Sequence, residues 1–237
     1  FKSHQNYINR VSDRARRYMY FIVQQVEVRG IPGELALLPI VESAFDPFAY
    51  SHGRASGVWQ FIPSTGHAYG LKQDWWLDGR RDIRLSTIAA LKFLRGLSRE
   101  FKGDWLLALA AYNSGAGTVR KAIRKNKKRG KPTDFWSLSL PKETRDYVPK
   151  LLALAKLIRT PEAFGITLPH IPNEPYFSVV KTGSQMDLSQ AAQLAEIDLE
   201  EIYKLNPQYN QWATSPNGPH ELLVPKEKEQ IIVANLK

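Results

Sequence analysis

The hydrophobic positions of this chain change their period several times, and each change marks an element. Between residues 3 and 29, Tyr7, Val11, Tyr18, Phe21, Ile22 and Val26 recur near helical spacing, with Gly30 just beyond. The spacing predicts one long amphipathic helix with its Arg and Glu residues in water. Residues 34–48 (ELALLPIVESAFDPF) are apolar at nearly every position before Glu42, which predicts a helix buried on all sides. It should begin near Pro32–Glu34, kink at Pro39 and stop at Asp46-Pro47. Residues 49–70 mix Gly and Ser with Trp59, Phe61 and Tyr69, as in an ordered loop over a buried cleft floor. Within it, Ser64-Thr65 after Pro63 should cap a short helix. A turn bearing Trp75 and Trp76 follows.

Ser86 should open an amphipathic helix with the stripe Ile88, Leu91, Leu94, Leu97 and Phe101. Gly103-Asp104 reads as a stop and restart, and Trp105–Tyr112 as a second buried helix ending at Asn113-Ser114-Gly115. A further helix over 143–159 would turn Tyr147, Val148, Leu151, Leu154, Ala155 and Ile158 inward. Pro161, Pro169, Pro172 and Pro175 then fall within fifteen residues, the composition of a semi-rigid linker. Beyond it the grammar changes. A short β-type run at 177–180, helical segments at 188–194 and 199–205, and a second run at 222–225 read as a β-α-α-β module. The expected architecture is mainly α: a helical domain over 1–165, a linker over 166–175 and a small module over 176–237.

Charge sharpens that division. Residues 1–169 carry 28 Lys and Arg against 14 Asp and Glu, whereas residues 170–237 carry 5 against 9. A basic body suits a polyanionic partner, and an acidic appendage suits docking onto the basic body. The densest run, residues 120–131 (RKAIRKNKKRGK), has eight basic residues in twelve and reads either as a mobile solvated surface or as a binding element. Zero cysteines exclude disulfides and thiolate metal sites. The five histidines have no metal-ligand spacing, and neither a phosphate-binding glycine loop nor Gly-x-Ser-x-Gly is present. No metal or cofactor is expected. No run of 18 apolar residues occurs, and a first residue of Phe rather than Met suggests a processed or truncated form, from which an anchor could have been cut away.

Glu42 is the residue whose setting most suggests chemistry. A carboxyl at the end of an apolar helix is costly to bury unless paired, neutralised or useful, and desolvation raises its pKa toward the range of a working acid. The competing reading is an ion pair with an arginine at the rim of the core.

Three motifs in order then form a pattern: Glu42-Ser43, Gly57-Val58-Trp59-Gln60-Phe61 and Ala111-Tyr112-Asn113, with Tyr147 in a downstream E-T-R-x-Y-V. The pattern, over roughly residues 5–165, resembles the soluble-lytic-transglycosylase group of the lysozyme superfamily and is closest to its membrane-bound murein branch. The resemblance implies a goose-lysozyme-like helical fold acting on peptidoglycan in the periplasm, attached to the outer membrane in the full-length form. It implies Glu42 as sole catalytic carboxylate, giving 1,6-anhydromuramyl products. Ser43 and Ser51 match serines that orient the acid and the substrate acetamido group. Gln60, Tyr112 and Asn113 match polar residues of the cleft floor, and Tyr147 matches a tyrosine bonded near the acid. Trp59 stands where soluble members commonly carry Met, so a flat ring there is expected to alter sugar stacking. Residues 176–225 resemble a LysM domain through Phe177-x-Val179, Leu205-Asn206-Pro207 and Leu222-x-Val224-Pro225, implying affinity for N-acetylglucosamine-containing glycans. The module departs from that pattern at Gly183-Ser184-Gln185 and in an enlarged loop over 208–220.

The expected partner is a peptidoglycan strand, not nucleic acid, and the expected state is a monomer. Two rivals stand beside this reading. One is a hydrolase of the same bond, which ordinarily uses two carboxylates; none of the three motifs supplies a second. The other is a non-catalytic basic module that binds nucleic acid through residues 120–131.

Overall fold

Residues 2–236 are described by the structure, a computed structural model. The first hydrophobic stripe forms two helices, α1 (Lys2–Ala15) and α2 (Met19–Val28), rather than one. No Gly or Pro breaks it. Tertiary contacts do: Tyr18, fully buried at the break, donates its hydroxyl to the Lys204 carbonyl at 2.6 Å, and Arg17 forks onto Glu201. Residues Gly33–Leu37 form a 3-10 turn and α3 spans Leu38–Ser43. Pro39 therefore sits in the first turn of α3, where its missing N–H costs nothing, and the expected kink becomes a junction between two helix types.

After α4 (Pro63–Ala68), α5 runs Ile83–Glu100 and begins three residues before Ser86. Asp82 is the reason, since its carboxylate accepts the Arg84 and Leu85 N–H groups as N-cap. Ser86 and Thr87 are buried, whereas Ile88 of the expected stripe is exposed. α6 (Trp105–Ser114), capped by Asp104, is the hub. It packs on α5, on α7 (Ala116–Lys127) and on α8 (Lys142–Arg159). Ala108, Ala110 and Ala111 are small enough to let three neighbours approach one helix from different sides. The basic run is largely α7, an ordered helix. Asn126 is buried at its end and donates to the Pro132 and Ser137 carbonyls at 2.8 and 2.9 Å, which pins the segment that follows.

Strand β1 (Phe177–Lys181) pairs antiparallel with β2 (Glu221–Pro225), Phe177 facing Pro225 and Lys181 facing Glu221. Between them lie α9 (Leu188–Ala195) and α10 (Leu199–Leu205). Buried Asn206 stitches the end of α10 to β2, donating to the Ile202 and Leu223 carbonyls and accepting the Leu223 N–H. A further helix, α11 (Glu229–Asn235), packs against α9 and β1; the sequence pattern stopped short of it.

The two parts share their cores. Leu205 and Leu223 of the module belong to the main hydrophobic cluster, while Leu77 of the helical part belongs to the module's cluster. Arg17 holds Glu201 bidentately (Nε–Oε1 3.0 Å, Nη2–Oε2 2.7 Å) with side chains only 11% and 17% exposed, and Arg84 meets Glu221 at 2.7 Å. Tyr176 also donates to Glu201, at 2.8 Å. Removing one member of so enclosed a pair strands the other charge in a poorly hydrated place. Glu201→Ala should lower unfolding free energy by about 2–4 kcal/mol, read from the denaturant midpoint. A loss under about 0.5 kcal/mol would reduce the pair to the status of a surface contact.

Candidate active site

Glu42 lies in the last turn of α3, and the backbone beyond it reverses at once. Ala44 (φ 51°) and Phe45 (φ 57°) take left-handed conformations that L side chains rarely adopt. The reversal satisfies the helix end, with the Ala44 N–H on the Ile40 carbonyl and the Phe45 N–H on that of Pro39. Phe45 is fully buried, so its packing offsets a backbone cost of roughly 1–3 kcal/mol per residue. The helix thus stops at Ser43, before the expected Asp46-Pro47. Asp46 is turned away to Arg14, at 3.0 Å.

A cavity of about 600 Å³ opens beside Glu42. It brings together Glu42, Ser51, Gln60, Tyr112, Asn113 and Tyr147 from four segments. Ser43 does not line it: its hydroxyl donates to the Pro39 and Val58 carbonyls, joining the end of α3 to the 57–61 loop. Ser51 accepts the Ala55 N–H at 3.0 Å and closes the 51–55 turn. Gln60, itself left-handed (φ 50°), donates to the Ala49 and Gly57 carbonyls. Gly57 is obligatory, because a Cβ there would lie 2.3 Å from the Arg80 carbonyl oxygen. Trp59 corrects the expectation of a stacking surface. Its ring is completely buried, with the indole N–H on Thr87 Oγ1 at 2.9 Å, and only its carbonyl reaches the floor, where Tyr112 donates to it at 2.7 Å.

The electrostatics centre on one pair. Burial pushes the Glu42 carboxyl up to about 7; the hydrogen bond donated by Tyr147 to Oε1 opposes this, and the charge of Glu143 adds to it. Tyr147 itself is held far above the ordinary phenol range by burial and by the Glu42 charge, so it stays a neutral donor. Among the described residues Glu42 forms no ion pair, against the rim-pair alternative.

Three contributors escaped the sequence reading. Glu143 lines the cavity, as does Lys150, and Asn113 joins it there: Nδ2 donates to Glu143 at 3.1 Å while Oδ1 accepts the Thr144 hydroxyl at 2.8 Å. Glu143 is four residues before Tyr147 on α8 and Lys150 three after, so helical facing would have placed all three on one side. The third is buried Arg80, whose guanidinium forks onto Asp78 and donates to the Arg54 and Phe61 carbonyls, holding the cleft loop in shape.

The chain is similar to several known proteins. The family model "Transglycosylase SLT domain" matches residues 19–135, and "Lytic transglycosylase MltD, LysM-like domain" matches residues 176–237. Membrane-bound lytic murein transglycosylase D of Escherichia coli (strain K12) is 47% identical over 222 residues, which cover 94% of this chain and 49% of that protein. A putative tributyltin chloride resistance protein of Alteromonas sp. (strain M-1) is 36% identical over 188 residues, covering 79% of this chain and 89% of that one. An X-ray structure of an inactive mutant of lytic transglycosylase Slt from Pseudomonas aeruginosa aligns with 25% identity over 62% of this chain and 24% of its own, at a TM-score of 0.48. The chain spans about half the length of the murein transglycosylase D relatives.

The Glu42–Tyr147 contact can be tested by titration. The phenol is what lowers the carboxyl pKa, so in Tyr147→Phe the Glu42 midpoint should rise above 7 by about one pH unit. Carbon NMR of the labelled carboxyl reads this directly. A midpoint that stays or falls would mean the hydroxyl does not hold the carboxylate.

Proposed function

We propose, from the premise that this chain belongs to the SLT family of lytic transglycosylases and ends in an MltD-type LysM-like module, that it cleaves peptidoglycan between N-acetylmuramic acid and N-acetylglucosamine. The observation that carries this reading is the Glu42 carboxyl at the cavity wall, held by a neutral tyrosine instead of a cation, where burial pushes its pKa up to about 7.

Such a group does both halves of the reaction. Protonated, Glu42 gives its proton to the glycosidic oxygen as the bond from muramyl C1 to that oxygen breaks. The resulting carboxylate, stabilised by the Tyr147 hydroxyl, takes the proton of the muramyl 6-hydroxyl as O6 closes on C1. One proton is given and one recovered, no water is consumed, and the product is a 1,6-anhydromuramyl end. A pKa near the working pH keeps both states accessible, and such proton transfer is worth about 10²–10⁴ in rate. In this reading Ser51, Gln60, Tyr112 and Asn113 shape the cleft and bind sugar, Tyr147 positions and tunes the acid, and Ser43 acts through the backbone it ties down. The reaction as written needs no cofactor.

A second reading, hydrolysis of the same bond, draws on Glu143, a second carboxyl at the cavity wall. The two readings differ by one water in the product, which mass spectrometry of digested peptidoglycan distinguishes. Nucleic acid is not the proposed partner, since a buried titrating carboxyl has no use in duplex binding. The proposed setting is the periplasm, as a monomer attached to the outer membrane through a segment outside this chain. Support comes from the relatives' description as membrane-bound; no helix among the described residues is long and apolar enough to cross a membrane.

Glu42→Gln removes the titrating proton with little change of shape. Anhydromuramyl release should fall at least about 10²-fold, and retention of more than a few per cent of parental turnover would show that another group is the acid. Stability supplies an independent readout. A folded pKa above the ordinary carboxyl value gives stability that is complete below that value and lost as pH rises through about 7. The parental melting temperature should therefore decline relative to Glu42→Gln between about pH 4.5 and 7, and parallel curves would contradict a buried, protonated Glu42.

Substrate capture has its own test at α7. Peptidoglycan carries anionic stem peptides, and the Lys125, Lys127, Lys128 and Arg129 side chains stand in solvent. Replacing all four by Gln should raise the apparent KM for sacculi about 3- to 10-fold at low ionic strength, with the difference fading as salt screens the charges. An unchanged KM would make this face mere solvated surface.

A further inference from the structure

Two tryptophans stand in water where the helical part meets the terminal module. Trp75 is 74% exposed and Trp212 63% exposed, one from each part, with half-buried Trp76 packed edge-on against Trp212 at 6.2 Å between ring centroids. Large apolar rings are normally covered, and exposed Trp marks a contact surface. Nor are the rings on free loops. Gln211 Nε2 donates to the Trp75 carbonyl at 3.1 Å and the Asn210 N–H to that of Trp76 at 2.9 Å. Leu77 and Tyr209 form a bridge, and the Leu188 N–H bonds the Trp212 carbonyl at 2.8 Å. The module's departure loop is committed to the same construction: Gln185 donates to the Thr214 carbonyl and the Met186 N–H to Thr214 Oγ1.

We propose that Trp75 and Trp212, held across the seam by the 208–213 loop, form a second glycan-binding platform that stacks sugar rings of the same strand outside the catalytic cleft. The proposal rests on the peptidoglycan reading of the cleft, and local charge selects the occupant. Residues 208–213 contain no charged side chain, and Lys72 beside the tryptophan turn is paired with Asp74 at 2.8 Å. Arg80 is consumed by Asp78, and Arg81 bonds Asn210. A neutral aromatic surface fits the flat faces of uncharged pyranose rings; an anionic membrane would call for free cations, which neither residues 208–213 nor the paired Lys72 supplies. Connection to the cleft is direct. Gln73 donates to the Pro63 carbonyl at 3.1 Å, fixing the tryptophan turn to α4, whose Thr65 lines the cavity. A cavity of about 600 Å³ takes one ligand of modest size, so a strand lying in it must continue over neighbouring surface.

The test uses the whole chain in the Glu42→Gln background, so that strands are bound without being cut. Trp75→Ala combined with Trp212→Ala should weaken pelleting with purified sacculi, and binding of N-acetylglucosamine hexamer, about tenfold or more. Trp75→Phe with Trp212→Phe, which keeps flat rings, should restore most of the affinity, a rescue that a folding defect would not show. Unchanged affinity in the Ala pair would overturn the platform, as would a loss seen only with phosphatidylglycerol vesicles. The cleavage reading stands or falls separately: it fails if the parent chain releases no anhydromuramyl product, whatever the tryptophan variants bind.

Discussion

Everything at the cleft depends on holding one carboxyl half-buried at the cavity wall without giving it a cation. An arginine beside Glu42 would depress its pKa and leave a permanently ionised spectator; bare burial would leave a permanently protonated one. Tyr147 supplies the intermediate case, a neutral donor that offsets part of the desolvation and brings the carboxyl to about 7. Other features follow from that need. Potential competitors are kept occupied: Asp46 is tied to Arg14, and Glu143 accepts a bond from Asn113. The left-handed turn at Ala44 and Phe45 lets the chain leave Glu42 at once, so the helix end opens on the cavity instead of continuing through it.

Most of the helical architecture was legible because periodicity and capping chemistry agree there. Asp104 and Gly103 mark the start of α6 in sequence as clearly as in space. The failures have a common cause. The α1–α2 break follows from Tyr18 and Arg17 engaging residues nearly two hundred positions away, a tertiary demand no local window contains. α5 starts at Ile83, ahead of Ser86, because Asp82 caps it, a role hidden in sequence by the charged run Asp78-Gly-Arg-Arg-Asp82. Pro39, read as an internal kink, is a first-turn proline following a 3-10 segment.

The candidate site divides in the same way. The apolar setting of Glu42 singles it out in sequence, the family resemblance adds Gln60, Tyr112 and Tyr147, and the fold brings all four to one cavity. Side-chain direction is what the sequence withholds. Ser43 neighbours the acid in sequence yet turns its hydroxyl to two carbonyls, and Trp59 sits in the middle of a cleft motif with its ring entirely in the core. Both sharpen the cleft by holding backbone: Ser43 through the Val58 carbonyl, Trp59 by anchoring the loop to Thr87 and offering its own carbonyl to Tyr112. A motif residue is thus no guarantee of substrate contact.

The opposite charges of the two parts acquire a specific meaning once the seam is seen. Bulk attraction between a basic body and an acidic appendage would be weak and non-directional in salt. Arg17–Glu201 and Arg84–Glu221 convert it into two fixed contacts, and the exchange of Leu77 for Leu205 and Leu223 between the cores makes rocking costly. A module held this way moves with the helical part rather than as a tethered anchor. The proline-rich segment between the parts then has little spacing to do, since its ends are already tied: Thr167 exchanges hydrogen bonds with Gln5, and Tyr176 bonds Glu201. Rigid attachment also explains how tryptophans from two parts of the chain can act on one strand, because stacking needs their rings held at a fixed offset while the polymer moves.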